Sequence, residues 1–499
     1  MPSDLSFRPL AAVLVSLLAA VMIPIFRRRP NLREACTFVA AVTKFGLVAS
    51  MLPTVLAGGV FESAPLRLAP GLSLHLRTDP FGLLFALVAS SLWLLTSVYS
   101  VGYMRAGKYP HQTGYFASFA ICLSATIGIA FAANLLTFFL FYEILTLATY
   151  PLVVHTRTAE AIAAGRKYLV YTLCAGQILL VAIIWSQSVA PGAEFQPGGF
   201  LAGRATPTSL AVLFCLFMVG CGVKAAIMPL HGWLPAAMVA PTPVSALLHA
   251  VAVVKAGAFG VVRIVGFVFG VDLLRSIGAD VVLATVAATT ILLASVRALG
   301  EDNLKRRLAY STVSQLSYIV LGAALGSLPA LAAAMYHIAA HGYMKITLFF
   351  CAGAVATKTH REQVHEFGGL ARQMPVTMSA FALAASGLAG IPLLVGFISK
   401  WNLGVGALQA GHGIFVLVLV TSGLLNLAYF FPIVYDAFFR GTPAEFGEAR
   451  PSMSLPLALT AAAAVLLGVF PDAGLSFYRL AWQAATSVVS SGELMGALP

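Results

Sequence analysis

Apolar residues run along this chain in long unbroken blocks separated by short polar stretches. The blocks do not alternate apolar with polar, so an outer-membrane barrel is excluded. Each reaches about 18 residues or more, enough to cross a bilayer as a helix. Fourteen spans are predicted, at roughly 9–26, 36–57, 80–104, 115–132, 134–154, 165–188, 207–229, 242–268, 276–297, 308–326, 329–355, 375–400, 412–438 and 452–471. Lipid supplies no partner for open backbone groups, so spanning segments of this kind must be helical. The predicted fold class is an all-α polytopic membrane protein of about 14 transmembrane helices. The tail beyond residue 472 is short, with a weakly amphipathic stretch near 474–490, and no soluble domain is expected. The first span runs into Arg27-Arg28-Arg29 and reads as a retained helix, not a cleaved signal.

Composition agrees. The 499 residues are 60% hydrophobic and only 10% charged, with a mean hydropathy of +0.91, whereas a soluble domain is about 25% charged. A net charge of +12 raises the question of nucleic acid, but the basic residues sit in short loops between spans. Loops after odd-numbered spans hold 18 of them, including Arg27, Arg28, Arg29 and Arg33 after the first. Loops after even-numbered spans hold 4: Arg67, Arg77, Arg204 and Arg275. That bias places the odd loops in the cytoplasm and both termini on the external side, as in a multi-pass protein of a prokaryotic plasma (inner) membrane. The six cysteines form no CxxC pair and are expected to be small buried hydrophobes, so neither an iron–sulfur cluster nor a structural zinc is indicated.

Six basic residues fall inside predicted spans: Lys44, Lys224, Lys255, Arg263, Lys345 and Lys400. Glu143 is the one acid in mid-span. A lysine at that depth costs about 2.5–3.5 kcal/mol on insertion scales, so each marks a candidate functional site. Glu143, in "FFLFYEILTLATYPLVV", needs a cation on another helix. Lys224 stands five residues before Pro229, which should break its helix. Lysine beside a break is the pattern of a polar site near the midplane. Lys255 follows His249 by six residues, with Ser245 one turn earlier. His337, His341 and Lys345 are spaced i, i+4, i+8, one stripe along a helix and a candidate proton relay. Lys400 closes "ASGLAGIPLLVGFISKWNLG", where Pro392 and the glycines should interrupt a second helix. Snorkelling to the interface is the competing reading for Arg263 and Lys400. Lys44 stands alone and reads as structural or snorkelling.

The segments "VKAAIMPLHGWLPAAMVAPTPVSALLHAVAVVKAGAFG", "FYEILTLATYPLV", "EDNLKRRLAYSTVSQLSYI", "HIAAHGYMKITLFFCAGA" and "GLAGIPLLVGFISKW" resemble the antiporter-like membrane subunit superfamily. That superfamily includes the large subunits of Mrp-type cation/proton antiporters. It also includes the proton-pumping membrane subunits of respiratory complex I and of membrane-bound hydrogenases. The resemblance covers roughly residues 100–440 and looks most like the D-type subunit of Mrp antiporters. It implies two inverted five-helix repeats, about spans 4–8 and 9–13, with helices 7 and 12 broken. It divides the chain into residues 1–110 (spans 1–3), a proton-conducting core at 111–440, and 441–499 (the last span and tail). It implies that Glu143 pairs with Lys224. The proton then passes by Lys255 and the relay of His249, His337, His341 and Lys345 to Lys400. The implied partners are small membrane subunits of a hetero-oligomeric antiporter or respiratory complex, with protons and Na+ as the moving ions. No cofactor or metal is implied. Two features depart from complex I relatives: some carry glutamate where Lys400 stands, and many carry an acid at Ala236-Ala237. The longest relatives also add a lateral helix and further spans after the fourteenth, for which this chain is too short.

Overall fold

Helix breakers and caps set the boundaries of this bundle. In the computed structural model, which describes residues 3–441 and 447–489, thirteen helical stretches are long and apolar enough to cross a membrane. Of the fourteen predicted spans, the remaining one, span 12, is split in two. Spans 1–7 run Arg8–Ile25, Pro30–Ala49, Pro80–Ala106, Gln112–Phe131, Leu135–Val153, Ala159–Val189 and Pro207–Lys224. Span 8 occupies Thr242–Phe269. Spans 9–11 are Ala279–Leu299, Leu304–Leu325 and Leu328–Thr359. Span 12 is the pair Pro375–Ala389 and Val395–Gln409, and spans 13 and 14 are Ile414–Phe439 and Pro451–Val469. Side chains of Asp79, Asn134, Thr158, Thr206 and Asn303 each accept the amide three residues on, satisfying a donor that a helix start leaves open.

Spans 8 and 11 are buried along their whole apolar length and span 10 nearly so, while spans 1, 2, 13 and 14 turn much of their surface outward. Two of these enclosed helices, spans 8 and 11, carry the predicted His249, Lys255, His337, His341 and Lys345. The predicted tail stretch forms the helix Phe477–Val488, whose buried Phe477, Leu480, Ala481, Ala484, Ala485 and Val488 keep helical spacing. Residues 490–499, part of the tail, lie outside the described residues.

Three expectations are corrected. Span 2 begins at Pro30, so Arg33 and Glu34 lie inside the helix. Both are buried there, because Glu34 accepts from Arg33 at 3.1 Å and also pairs with Arg105 of span 3. Cys174 and Cys215 are exposed on outward faces; only Cys122, Cys221 and Cys351 are buried. Short strands, unforeseen because each is only two to four residues long, close one end of the bundle. β1 (Ser3–Leu5) pairs parallel with β2 (Val60–Glu62), and β2 pairs antiparallel with β5 (Arg77–Thr78). β3 (Leu66–Ala69) and β4 (Leu72–Leu74) make a separate hairpin.

Candidate functional site

Span 7 was expected to reach Pro229, but its helix stops at Lys224. Proline lacks an amide hydrogen and its ring collides with the carbonyl four residues back, which here is Ala225. The helix therefore ends one residue before that position. Ala226 takes φ +56, a left-handed backbone for an alanine, and a short turn at Trp233–Ala236 follows. Lys224 is fully buried in the last turn of the half-helix, where open carbonyls favour a cation.

The implied Glu143–Lys224 ion pair is not formed. The Lys224 ammonium instead donates to the Tyr142 carbonyl at 2.5 Å and sits 3.3 Å from the centre of the Tyr142 ring. The Tyr142 hydroxyl in turn donates to the Gly220 carbonyl of span 7. Glu143 and Lys224 still interact electrostatically across this gap. One Glu143 oxygen is buried without a partner, and the carboxylate packs where a Cβ on Gly176 of span 6 would stand.

Span 8 is not a regular helix. Leu247–Val251 and Ile264–Phe269 are π-helical, flanking the α-helical Val253–Arg263. Such turns are rare and cluster at functional sites. The first carries His249 and ends just before Lys255. Lys255 Nζ, Ser245 Oγ, both ring nitrogens of His249 and both of His341 on span 11 are buried without a partner inside the protein. Buried polar atoms are nearly always hydrogen-bonded, so this concentration on two adjoining helices marks a polar seam. Lys255 interacts electrostatically with Lys345, and His341 with Lys255, Lys345, His337 and His249.

The rest of the His337–His341–Lys345 stripe is anchored to other spans. The His337 and His341 rings stand 6.0 Å apart. His337 bonds Ser399 Oγ at 2.7 Å through Nδ1 and Gln315 Oε1 at 3.1 Å through Nε2. Lys345 turns to span 10, donating to Ser311 Oγ at 2.9 Å and the Leu308 carbonyl at 3.3 Å. The Tyr429 hydroxyl donates to Asn426 Oδ1 and bonds Ser311 Oγ at 3.1 Å; Asn426 Oδ1 also accepts from Gln315 Nε2 at 3.4 Å. A hydrogen-bonded chain thus joins Lys345 to His337 and Ser399. Gln315, Asn426 and Tyr429 were missed because an uncharged polar residue in a span is common. The signal was present: Ser422, Asn426 and Tyr429 recur at i, i+4, i+7 on one face.

Lys400 does not end span 12. It lies within the second half-helix, beyond a break at 390–394 in which Gly390 has φ +96 and Leu393 has φ +70. Pro392 denies an amide to Leu388, four residues back. The released Leu388 carbonyl takes the Lys400 ammonium at 2.5 Å, with Ala389 at 3.2 Å. The Lys400 ammonium also stands 5.0 Å from the centre of the Tyr318 ring. Both breaks thus contain a left-handed residue other than glycine, Ala226 and Leu393, and strain of this kind concentrates at functional positions.

Neither remaining cation snorkels. Arg263 is 1% exposed and donates twice to Asp79, the cap of span 3, at 2.5 and 2.7 Å. Phe81, Phe195, Phe259 and Phe267 surround its guanidinium. Lys44 is fully buried and donates to Ser16 Oγ at 2.5 Å and the Leu123 carbonyl at 3.1 Å. Among the described residues, no group of three His, Cys, Asp or Glu side chains is gathered for a metal.

Residues 132–426, a stretch holding Glu143, Lys224, Lys255, the His337–His341–Lys345 stripe and Lys400, match a family described as NADH:quinone oxidoreductase/Mrp antiporter, TM. The chain belongs to this family. NADH-quinone oxidoreductase subunit N of Desulforudis audaxviator (strain MP104C) is 34% identical over 437 residues, covering 83% of this chain and 86% of that protein. The A/B subunit of a probable K(+)/H(+) antiporter of Rhizobium meliloti (strain 1021) is 31% identical over 448 residues, covering 86% of this chain; this chain spans 44% of that longer protein. In fold it is similar to a chain of the Mrp complex from Dietzia sp. DQ12-45-1b, with a TM-score of 0.86, 24% identity and 99% of each chain covered. A chain of the membrane-bound sulfane sulfur reductase, an archaeal respiratory membrane complex, gives 0.86 at 23% identity, covering 99% of this chain and 100% of that one. At these identities the two structures speak for the fold alone.

Proposed function

We propose that this chain is a D-type, proton-translocating subunit of a multisubunit monovalent cation/proton antiporter. It sits in a prokaryotic inner membrane beside smaller membrane subunits, with both termini external. Protons enter at the Glu143–Lys224 pair, pass Lys255 and the histidines, and leave by Lys400. The observation that carries this reading is the seam of unpartnered polar atoms on Ser245, His249, Lys255 and His341, lying between two helix breaks that each present a lysine. A protein interior does not strand that many polar atoms unless water or a moving proton serves them.

The mechanism follows from burial. Desolvation disfavours the charged form of any ionisable group, and an opposite charge restores it. Whether Lys224 holds its proton therefore depends on how close Glu143 stands. The Tyr142 carbonyl and ring hold the ammonium clear of the carboxylate, which is one of the two positions such a switch requires. In the other, Lys224 closes on Glu143.

The test is transport in vesicles containing the whole complex. Lys224→Ala and Lys255→Ala should each abolish cation-coupled proton movement while leaving folded protein in the membrane; full activity in both sinks the reading.

The identity to NADH-quinone oxidoreductase subunit N favours a second reading, a proton-pumping subunit of a redox complex, related also to those of membrane-bound hydrogenases. Purification in mild detergent separates the two: small membrane subunits support the antiporter, and peripheral redox subunits support the alternative.

A further inference from the structure

The path above leaves unused a charged cluster at the end of the bundle that the proposed reading places outside the cell. Residues 73–78 are fixed to the start of span 5, the helix of Glu143. The His75 amide donates to Thr137 Oγ1 at 3.0 Å, and the His75 carbonyl accepts from the Ala133 amide at 3.0 Å. Asn134, the cap of span 5, donates to the Ser73 carbonyl at 2.9 Å. Residues 196–200 are fixed instead to the end of span 8, the helix of Lys255. Amides of Gln196, Gly198 and Phe200 donate to the carbonyls of Phe267, Gly266 and Val268 at 3.1, 3.0 and 3.0 Å. Those carbonyls belong to the π-helical turn that ends span 8, where helix acceptors run out of partners.

Glu194 joins the two segments. Its Oε1 accepts from His75 Nδ1 at 2.7 Å and its Oε2 from Arg77 Nη1 at 3.1 Å. Arg77 also donates to the Phe195 carbonyl at 2.5 Å, and the Phe195 amide donates to the Ala133 carbonyl at 2.8 Å. Glu194 borders a cavity of about 490 Å³ that Glu62, Asp79 and Phe267 also line. Among the described residues, the charged groups around it are His75 and Arg77 from its own junction, Glu62 from β2, and Asp79 with its partner Arg263. The helix Phe477–Val488 contributes uncharged Ala484 and Ser487.

We propose that Glu194 is a positioning residue for the proton path: a carboxylate latch holding span 5, with Glu143, in register with span 8, with Lys255. This rests on the reading of spans 5 and 8 as the proton path. The His75 hydrogen bond, against the cost of burial and with the charges of His75 and Arg77, holds the Glu194 carboxyl below its usual range. A carboxyl depressed in this way stays ionised, and the latch closed, above the ordinary glutamate value. The latch opens as external pH falls through the lower value of the closed state.

The experiment uses the full complex in vesicles, with hydrogen exchange read over 195–200 and 264–269 and proton movement read by a pH-sensitive dye after a Na+ pulse. Glu194→Gln should speed exchange in those segments at least tenfold, leave spans 10 and 11 protected, and reduce coupled transport. Acidifying the external medium, with intrinsic exchange chemistry corrected, should make the unmodified protein behave like E194Q while E194Q itself no longer responds. Unchanged exchange in E194Q overturns the latch. Faster exchange with full transport, where Lys224→Ala abolishes transport, overturns the positioning role and leaves the path standing. Full transport in Lys224→Ala removes the path, and with it the role of Glu194 in positioning it.

Discussion

The Lys400 ammonium lies 2.5 Å from the Leu388 carbonyl across the break in span 12. That carbonyl is open because Pro392, four residues on, has no amide to give it. The break thus makes the acceptor that the lysine on its far side occupies.

Pro392→Ala should return an amide to Leu388 and compete with Lys400 for it. A hydrogen bond to a charged group is worth about 1.5–3 kcal/mol, so weakening it should lower the proton affinity of Lys400 by about tenfold or more. Coupled transport should fall with little loss of folded protein. Transport equal to that of the unmodified protein, measured in vesicles, would show that the carbonyl does not hold the proton site.

The Tyr142 ring beneath Lys224 makes a separate claim. A desolvated cation–π contact is worth about 2 kcal/mol, or about a 30-fold shift between the two lysine positions. Tyr142→Phe keeps ring and carbonyl and should transport at near the unmodified rate. Tyr142→Leu keeps only the carbonyl and should impair coupling. Equal rates in the two variants count against the contact.

Gly176 is the floor on which the Glu143 carboxylate rests. A Cβ at this position would meet Glu143 Oε1 at 2.5 Å, well inside contact distance. Gly176→Ala should displace the carboxylate and lower transport without unfolding span 6, since alanine is the better helix former. Gly114, with open space around its Cβ position, is the control: G114A should be silent in the same transport assay.

Asp79 and Arg263 form a pair whose arginine is 1% exposed. Removing one member of a buried pair costs about 3–5 kcal/mol. Asp79→Ala, which also deletes the cap on Gly82, should lower the thermal midpoint of the detergent-solubilised complex sharply. The double variant with Arg263→Met should recover much of that loss. A double variant no more stable than D79A would count against the pair as the cause.

Much of the architecture was legible because its signals are local. Span length follows from bilayer thickness, and Pro229 and Pro392 break their helices through their own missing amides. The seven charges within the predicted spans stand out in apolar sequence because each is expensive there. Local signals also misled. Span 7 read as continuing to Pro229, although a proline exerts its effect four residues upstream. Arg263 read as a residue able to snorkel, because its counter-ion lies 184 residues away in sequence. Cys174 and Cys215 read as buried, although apolar sequence in a membrane protein is as content facing lipid as facing the core.

By itself, then, the sequence determined the all-helical spanning architecture, the two interrupted helices and the identity of the titratable groups within the spans. Those features depend on the solvent that a short stretch of chain meets and on backbone geometry within a few residues. Only the tertiary structure decided which atom answers which: Tyr142, not Glu143, for Lys224, Leu388 for Lys400, Gln315 and Ser399 for His337, and no protein partner at all for Lys255. Hydrogen bonds reach about 3 Å, and the helices that bring these partners within that reach are set side by side by packing of the whole bundle, which no local pattern encodes.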